Sequence, residues 1–125
     1  MGPNNSEALV SRPELFEVPE VLAEVRGLLD VALDRCPPRS AAALEICAAW
    51  EGLDVVAGVS VIVQRLPSEL SALAVLSTAR GLVRGAILRV EPLSAARVLA
   101  EALRHLDTAA RILAAEELGE APPWA

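Results

Sequence analysis

The chain has no lysine, no tyrosine and a single histidine, and its three aromatic residues are Phe16, Trp50 and Trp124. All eleven basic residues are therefore arginine, and seventeen acidic residues outnumber them, which gives a formal net charge of −6. Because phosphate backbones are attracted to positive surfaces, this balance argues against nucleic acid as a general partner.

Long apolar runs are absent as well. The most apolar stretch, residues 43–63, contains Glu45, Glu51 and Asp54, so it is not expected to span a membrane. Residues 1–18 show no basic flank followed by an apolar run, so the sequence predicts no signal peptide. Together these features predict a cytoplasmic protein that makes no membrane contact.

What the chain has in excess is aliphatic side chains. Hydrophobic residues make up 54% of the 125 positions, whereas ordinary globular domains contain roughly 45–50% with glycine included. The length fits one domain with its own core. A monomer of this size exposes much of its chain to water, so we expect part of the apolar surplus to cover an interface with another polypeptide.

Prolines and serines divide the chain into segments. Pro19 suits the first turn of a helix, and Ser40 and Ser68 suit the N-caps of two more. The predicted organisation is a flexible segment at 1–18, a single helical domain at 19–118 with helices at 19–35, 40–66, 68–90 and 92–118, and a flexible tail at 119–125.

The first two predicted helices differ in how clearly the pattern defines them. The first is amphipathic, with an apolar stripe opposite a polar face formed by Glu20, Glu24, Arg26, Asp30 and Asp34. In the second, the valines and isoleucine of residues 55–63 would suit a strand equally well. No partner strand is evident elsewhere, and an orphan strand leaves its backbone unpaired. We therefore predict a buried, nearly all-round apolar helix at the centre of the bundle.

The resulting fold prediction is an all-α bundle of four main helices. Short connections place consecutive helices side by side, which favours an up-and-down antiparallel order.

Two patterns on the third and fourth helices are candidate interfaces. The fourth helix carries a heptad seam of alternating alanine and leucine, formed by Ala95, Leu99, Ala102, Leu106, Ala109 and Leu113. The third carries a row of small side chains at helical spacing, formed by Ala74, Ser77, Gly81 and Gly85. Either pattern permits close helix approach, in a homodimer or inside the bundle itself.

No constellation for catalysis, metal or cofactor binding is evident. His105 is the only histidine, and the residues that follow it depart from the pattern of the histidine phosphotransfer domains. Cys36 is predicted at a helix C-terminus, where the helix dipole disfavours a thiolate, and Cys47 in an apolar helix. We therefore predict two free thiols and a protein that is not an enzyme.

Trp50-Glu51-Gly52 resembles the W-x-G motif of the small helical-hairpin substrates of actinobacterial and Gram-positive specialised secretion systems. In that family the motif occupies the turn between two helices, and a tyrosine-containing signal commonly follows the second helix. Here the turns are predicted at Pro37-Pro38 and Pro67, so Trp50 lies within a helix, and the chain has no tyrosine. The resemblance implies a secreted helical protein as a minor alternative.

The arginines of the second half form a further candidate site. Arg97, Arg104 and Arg111 recur every seven residues on the fourth helix, and Arg80 and Arg84 are one turn apart on the third. These faces could bind an anion, a nucleic-acid backbone or an acidic partner. They could also be a solvated surface whose charge Glu101 and Asp107 reduce, or could pair with the acidic face of the first helix in the same or a second subunit.

The favoured function is that of an oligomerising protein–protein interaction or accessory module, forming a homodimer or binding a helical partner. One alternative is a small-ligand sensor whose pocket has apolar walls from Leu53, Val56, Val59 and Val63. The other is association with nucleic acid or another anion through the arginine faces.

Overall fold

The computed structural model describes residues 17–58, 60–91 and 93–119. The flexible ends predicted from the sequence lie almost entirely outside these residues. Within the described part, the chain forms four α-helices and no strand: α1 (Val18–Asp34), α2 (Ala41–Ala57), α3 (Ala72–Ile87) and α4 (Leu93–Glu117). No helix in this part of the chain is both long enough and apolar enough to cross a membrane.

Three helix starts show the local chemistry that sets them. Pro19 lies in the first turn of α1, where its missing N–H costs nothing. The hydroxyl of Ser40 accepts a hydrogen bond from the Ala43 N–H and caps α2. The predicted cap at Ser68 is wrong, because residues 67–70 form a turn and Ser71 caps α3 instead.

The helices form the predicted all-α bundle, and neighbouring helices run antiparallel. Helix α1 packs against α2 and α3, and α4 also packs against α2 and α3, so α1 and α4 occupy opposite corners. In an up-and-down bundle with short connections, α2 and α3 would be adjacent and antiparallel. Here α2 and α3 run parallel, and a long connection takes the chain back along α1 before α3 begins.

This connection, residues 58–71, is called the strap below. The prediction that α2 continues to residue 66 is wrong, since the helix ends at Ala57 and Gly58 takes a positive φ of 68°. The β-branched residues that follow favour extended backbone. The Ile62 N–H donates to the Ala23 carbonyl of α1, 2.9 Å away, and Arg35 binds the Leu66 carbonyl nearer the end of α1.

Gly27 allows the strap to approach α1 this closely. A Cβ at this position would overlap the carbonyl oxygen of Ile62 and lie 2.9 Å from its carbonyl carbon. A glycine inside a helix costs up to about 1 kcal/mol relative to alanine, and the close strap contact is the structural reason for it here.

The core is built from aliphatic side chains of all four helices, with Leu22, Ile46, Leu76, Leu99 and Leu106 fully buried. Helix α2 is not the central member that the sequence predicted. Leu44 and Val55 on its outer face are 61% and 75% exposed, so α2 is one corner of the bundle like the others. The many apolar residues of α2 therefore lie on an exposed face as well as on a buried one.

Candidate interaction surfaces

The most elaborate polar arrangement surrounds Arg26, which the sequence placed on the polar face of α1. Its side chain is buried, with Nη2 3.0 Å from the Asp54 carboxylate. Nη1 donates to the Ser60 carbonyl at 2.9 Å and also to that of Gly58. The guanidinium lies 4.0 Å from the centroid of the Trp50 ring, within range of a cation–π interaction.

Arg26 therefore anchors the start of the strap and supplies donors to backbone oxygens that have no strand partner. An extended segment without a neighbouring strand leaves backbone groups unpaired. Here the Arg26 side chain donates hydrogen bonds to strap carbonyls in place of a strand. The sequence signal was slight: Arg26 is the one basic residue of α1, among four acidic ones. Its burial depends on the strap and could not be inferred from helical periodicity.

The heptad seam of α4 belongs to the core of a single chain. Leu99, Ala102, Leu106, Ala109 and Leu113 are buried among the other helices, and Ala95 is half-buried. A second folded copy has no access to these side chains. The seam is thus assigned to intramolecular packing.

The small-residue row of α3 lies on the surface of the bundle. Ser77, Gly81 and Gly85 are exposed and Ala74 is half-buried. A Cβ added at Gly81 or Gly85 would meet nothing within 4 Å. The row therefore does not serve tight packing inside the bundle, which was the simplest interpretation of its spacing.

The structure brings two of the candidate arginines together around a carboxylate. Arg80 Nε lies 2.7 Å and Arg84 Nη2 3.5 Å from the same Asp107 oxygen of α4. Arg104 forms an ion pair with Glu101 on its own helix. These pairs neutralise part of the positive charge that an anion or a nucleic-acid backbone would need.

Arg97, Arg104 and Arg111 form a separate row on the outer surface of α4, where all three are exposed. Residues seven apart share a helix face, so the row runs along the bundle axis. It is set apart from the Arg80–Arg84 pair by Asp107, which faces α3.

A groove runs between α2 and α4, called the α2–α4 groove below. At its polar end His105 Nδ1 lies 3.0 Å from the Glu45 carboxylate, and Nε2 lies 3.9 Å from Glu101. The cavity there measures about 350 Å³. A neighbouring cavity of about 280 Å³ is mainly apolar and is lined by Ala41, Leu44, Glu45, Thr108 and Ile112.

The ligand pocket predicted from α2 is not formed as predicted. Leu53 is fully buried in the core, whereas Val63 on the strap is 79% exposed, so the two do not line one cavity. Val56 packs against the core as a partly buried residue. Val59 lies outside the described residues.

Folding leaves a substantial apolar surface uncovered in the described part of the chain. The large apolar side chains that remain exposed are Leu44, Val55, Ile62, Val63, Leu70, Leu88, Leu93 and Leu118. Leu44 lines the apolar cavity of the groove, whereas Val55 and Leu93 lie farther along α2 and α4. The excess of aliphatic residues predicted that another polypeptide covers such surface, and this stays a prediction.

Charge is distributed unevenly between the two sides of the bundle. Helices α1 and α2 carry seven carboxylates and one arginine, and that arginine is the buried Arg26. Helices α3 and α4 carry five arginines and four carboxylates. Because α2 and α4 are neighbours, an acidic helix and an arginine row flank the same groove.

Both cysteines are free thiols, as predicted, and their environments differ. Cys36 is buried; burial, and secondly the charge of Glu116, raise the pKa of its thiol. Cys47 is exposed on α2.

A cavity of about 580 Å³ lies at the end of the bundle beside Arg35. Arg35 donates hydrogen bonds to the Leu66 and Leu70 carbonyls of the strap.

The W-x-G motif lies within α2 and not in a turn. Gly52 faces α4, where an added Cβ would be in ordinary contact with Ala102 at 3.6 Å, and the Trp50 ring contacts Arg26.

Searches against protein-family models, curated proteins and solved structures found no match for this chain. Its function is therefore inferred from the surfaces described above.

Proposed function

We propose that the chain is a non-enzymatic protein–protein interaction module. The supporting observation is the set of eight large apolar side chains that stay 38–87% exposed in the described residues after all four helices have packed. Where such exposed apolar side chains lie close together, they are typical of a docking site. The proposal places the protein in the cytoplasm, where free thiols remain reduced.

The energetic argument concerns the cost of leaving these side chains in water. Burying a valine or leucine side chain completely contributes about 1.5–3 kcal/mol. Covering only three of the exposed ones, such as Leu44, Val55 and Leu93, would therefore favour association by several kcal/mol before the entropy cost of association is subtracted. A partner that covers them gains affinity without any rearrangement of the bundle.

The test combines the mass in solution with the accessibility of the apolar side chains. Light scattering over a range of concentrations measures association, and a soluble paramagnetic probe measures how exposed each leucine and valine methyl group is by NMR. We expect either association or, in a monomer, strong broadening of the Leu44, Val55, Leu88 and Leu93 methyl signals. A monomer in which these methyl groups are shielded from the probe would refute the proposal.

A second candidate function, binding of a small amphipathic acid, is favoured by the continuity of the α2–α4 groove. An acid group could bind near Arg104 and Arg111, with an alkyl chain against Leu44 and Ile112. Thermal unfolding with a panel of alkyl carboxylates tests it, and unchanged melting temperatures would remove it. Nucleic-acid binding has weaker support, because Arg80 and Arg84 already pair with Asp107 and the chain has a net charge of −6.

A further inference from the structure

The surface that α2 and α4 present together, called the α2–α4 face below, carries opposite charges on its two sides. On α2 it contains Glu45 and Glu51, with the exposed Leu44 and Val55. On α4 it contains the exposed arginine row and Glu101, which pairs with Arg104, and Leu93 lies one turn before Arg97. The apolar end of the groove lies between the two helices.

Helical spacing places these side chains on the same outer surface. Leu44, Glu51 and Val55 are separated by seven and four residues, and Arg97, Arg104 and Arg111 by seven each. Such intervals keep side chains on one face of a helix. The face is therefore made of the acidic helix α2, an apolar groove and the arginine row of α4, and the two helices are antiparallel.

We propose that a second copy of this chain covers the α2–α4 face, so that α2 of each copy packs against α4 of the other. The inference rests on the proposed interaction function and names both the surface and the partner. The dimer has a twofold axis parallel to the helices, and its interface is isologous, since each copy contributes the same surface.

Charge selects this axis over the alternative. A twofold axis parallel to the helices places the acidic α2 of one copy over the arginine row of the other. An axis perpendicular to the helices would place α2 over α2 and α4 over α4, and like charges would oppose each other on both sides. Juxtaposed like charges disfavour an interface, so the charges favour the first arrangement.

The register follows from the contacts inside one copy. A rotation about an axis parallel to the helices leaves the height of every residue along the bundle unchanged. Gly52 is level with Val98 and Ala102 of α4, so Glu51 of the second copy comes level with the stretch between Arg97 and Arg104. Val55 of the second copy comes level with Arg97, one turn from the exposed Leu93.

Charge reversal within the full chain tests the dimer. Glu51 and Arg104 are both exposed, so Glu51→Arg and Arg104→Glu should leave the fold intact, which circular dichroism checks. Each single reversal changes two symmetry-related contacts from attraction to repulsion. A partly exposed charge pair contributes roughly two- to fivefold in affinity, so we expect the dimer dissociation constant to rise about tenfold.

The double variant Glu51→Arg with Arg104→Glu should restore dimerisation, because the arginine introduced on α2 of one copy then faces the glutamate introduced on α4 of the other. Asp30→Arg on α1 and Arg65→Glu on the strap are matched controls, since both positions are exposed and lie away from the face. Light scattering and sedimentation at 50 mM and 1 M salt give the dissociation constants. We expect weaker association at high salt for the wild type.

The outcomes separate this inference from the proposed function. A dimer that ignores both reversals, or a double variant no better than the single ones, would overturn the α2–α4 interface. A chain that stays monomeric with solvent-accessible Leu44 and Val55 would overturn the homodimer and leave the interaction function standing. If a reversal unfolds the chain, Glu51→Gln and Arg104→Gln apply the same test with a smaller expected loss.

Discussion

Substitution of Gly27 by alanine should destabilise the protein even though alanine favours helices. The new Cβ would overlap the Ile62 carbonyl oxygen, so the strap has to move away from α1. This movement breaks the hydrogen bond from the Ile62 N–H to the Ala23 carbonyl and disturbs the carbonyls that Arg26 binds.

The magnitude follows from opposing contributions. Overpacking a close contact costs typically about 1–3 kcal/mol, and a lost hydrogen bond about 0.5–1.5 kcal/mol. The higher helix propensity of alanine stabilises the variant by up to about 1 kcal/mol. We therefore expect the free energy of unfolding to fall by about 2 kcal/mol, which lowers the melting temperature by roughly 6–10 °C for a chain of this size.

Gly81→Ala is the matched control, because Gly81 lies inside α3 with open space around its missing Cβ. Here only the helix preference acts, so stability should rise by about 0.5–1 kcal/mol. Urea unfolding monitored by circular dichroism measures both variants. If Gly27→Ala stabilises the protein as much as Gly81→Ala does, the strap is not packed on α1 as described.

Three further tests concern Arg26, the N-cap of α3 and the two cysteines. Arg26→Met should lower the free energy of unfolding by about 2–4 kcal/mol, since it leaves strap carbonyls without donors, and unchanged urea unfolding would contradict the anchoring role. Ser71→Ala should cost about 1 kcal/mol through the lost N-cap, whereas Ser68→Ala should change the melting temperature little. At pH 8 a disulfide reagent should modify Cys47 quickly and Cys36 slowly in the folded chain, because burial and a raised pKa reduce the thiolate of Cys36; equal rates would contradict this.

The bundle could be predicted from local sequence because helix signals act over a few residues. Pro19 and Ser40 start helices where the sequence indicated, and the apolar stripe of the first helix is buried as expected. The seam of the fourth helix was identified correctly as apolar, but periodicity does not distinguish a core from an interface. That distinction depends on which other helices cover the seam.

The candidate surfaces were predicted less well, for related reasons. The small-residue row looks suited to tight packing, yet no helix of the described chain approaches Gly81 or Gly85. The arginines were found by their spacing, and Glu101 and Asp107 were expected to reduce their charge. Helix packing decided that Asp107 pairs with Arg80 and Arg84 of α3. The α2–α4 face could not be predicted from local patterns, because it joins residues of two helices that are far apart in sequence.

The sequence by itself determined the helical class, most of the helix boundaries and the excess of apolar surface, since composition and short-range periodicity govern these properties. Tertiary structure decided where α2 ends, because the segment after Gly58 is held in an extended form by contacts with Ala23, Arg26 and Gly27 of α1 and with Arg35. Tertiary structure also decided which apolar faces stay exposed, since burial depends on long-range packing that no local pattern encodes.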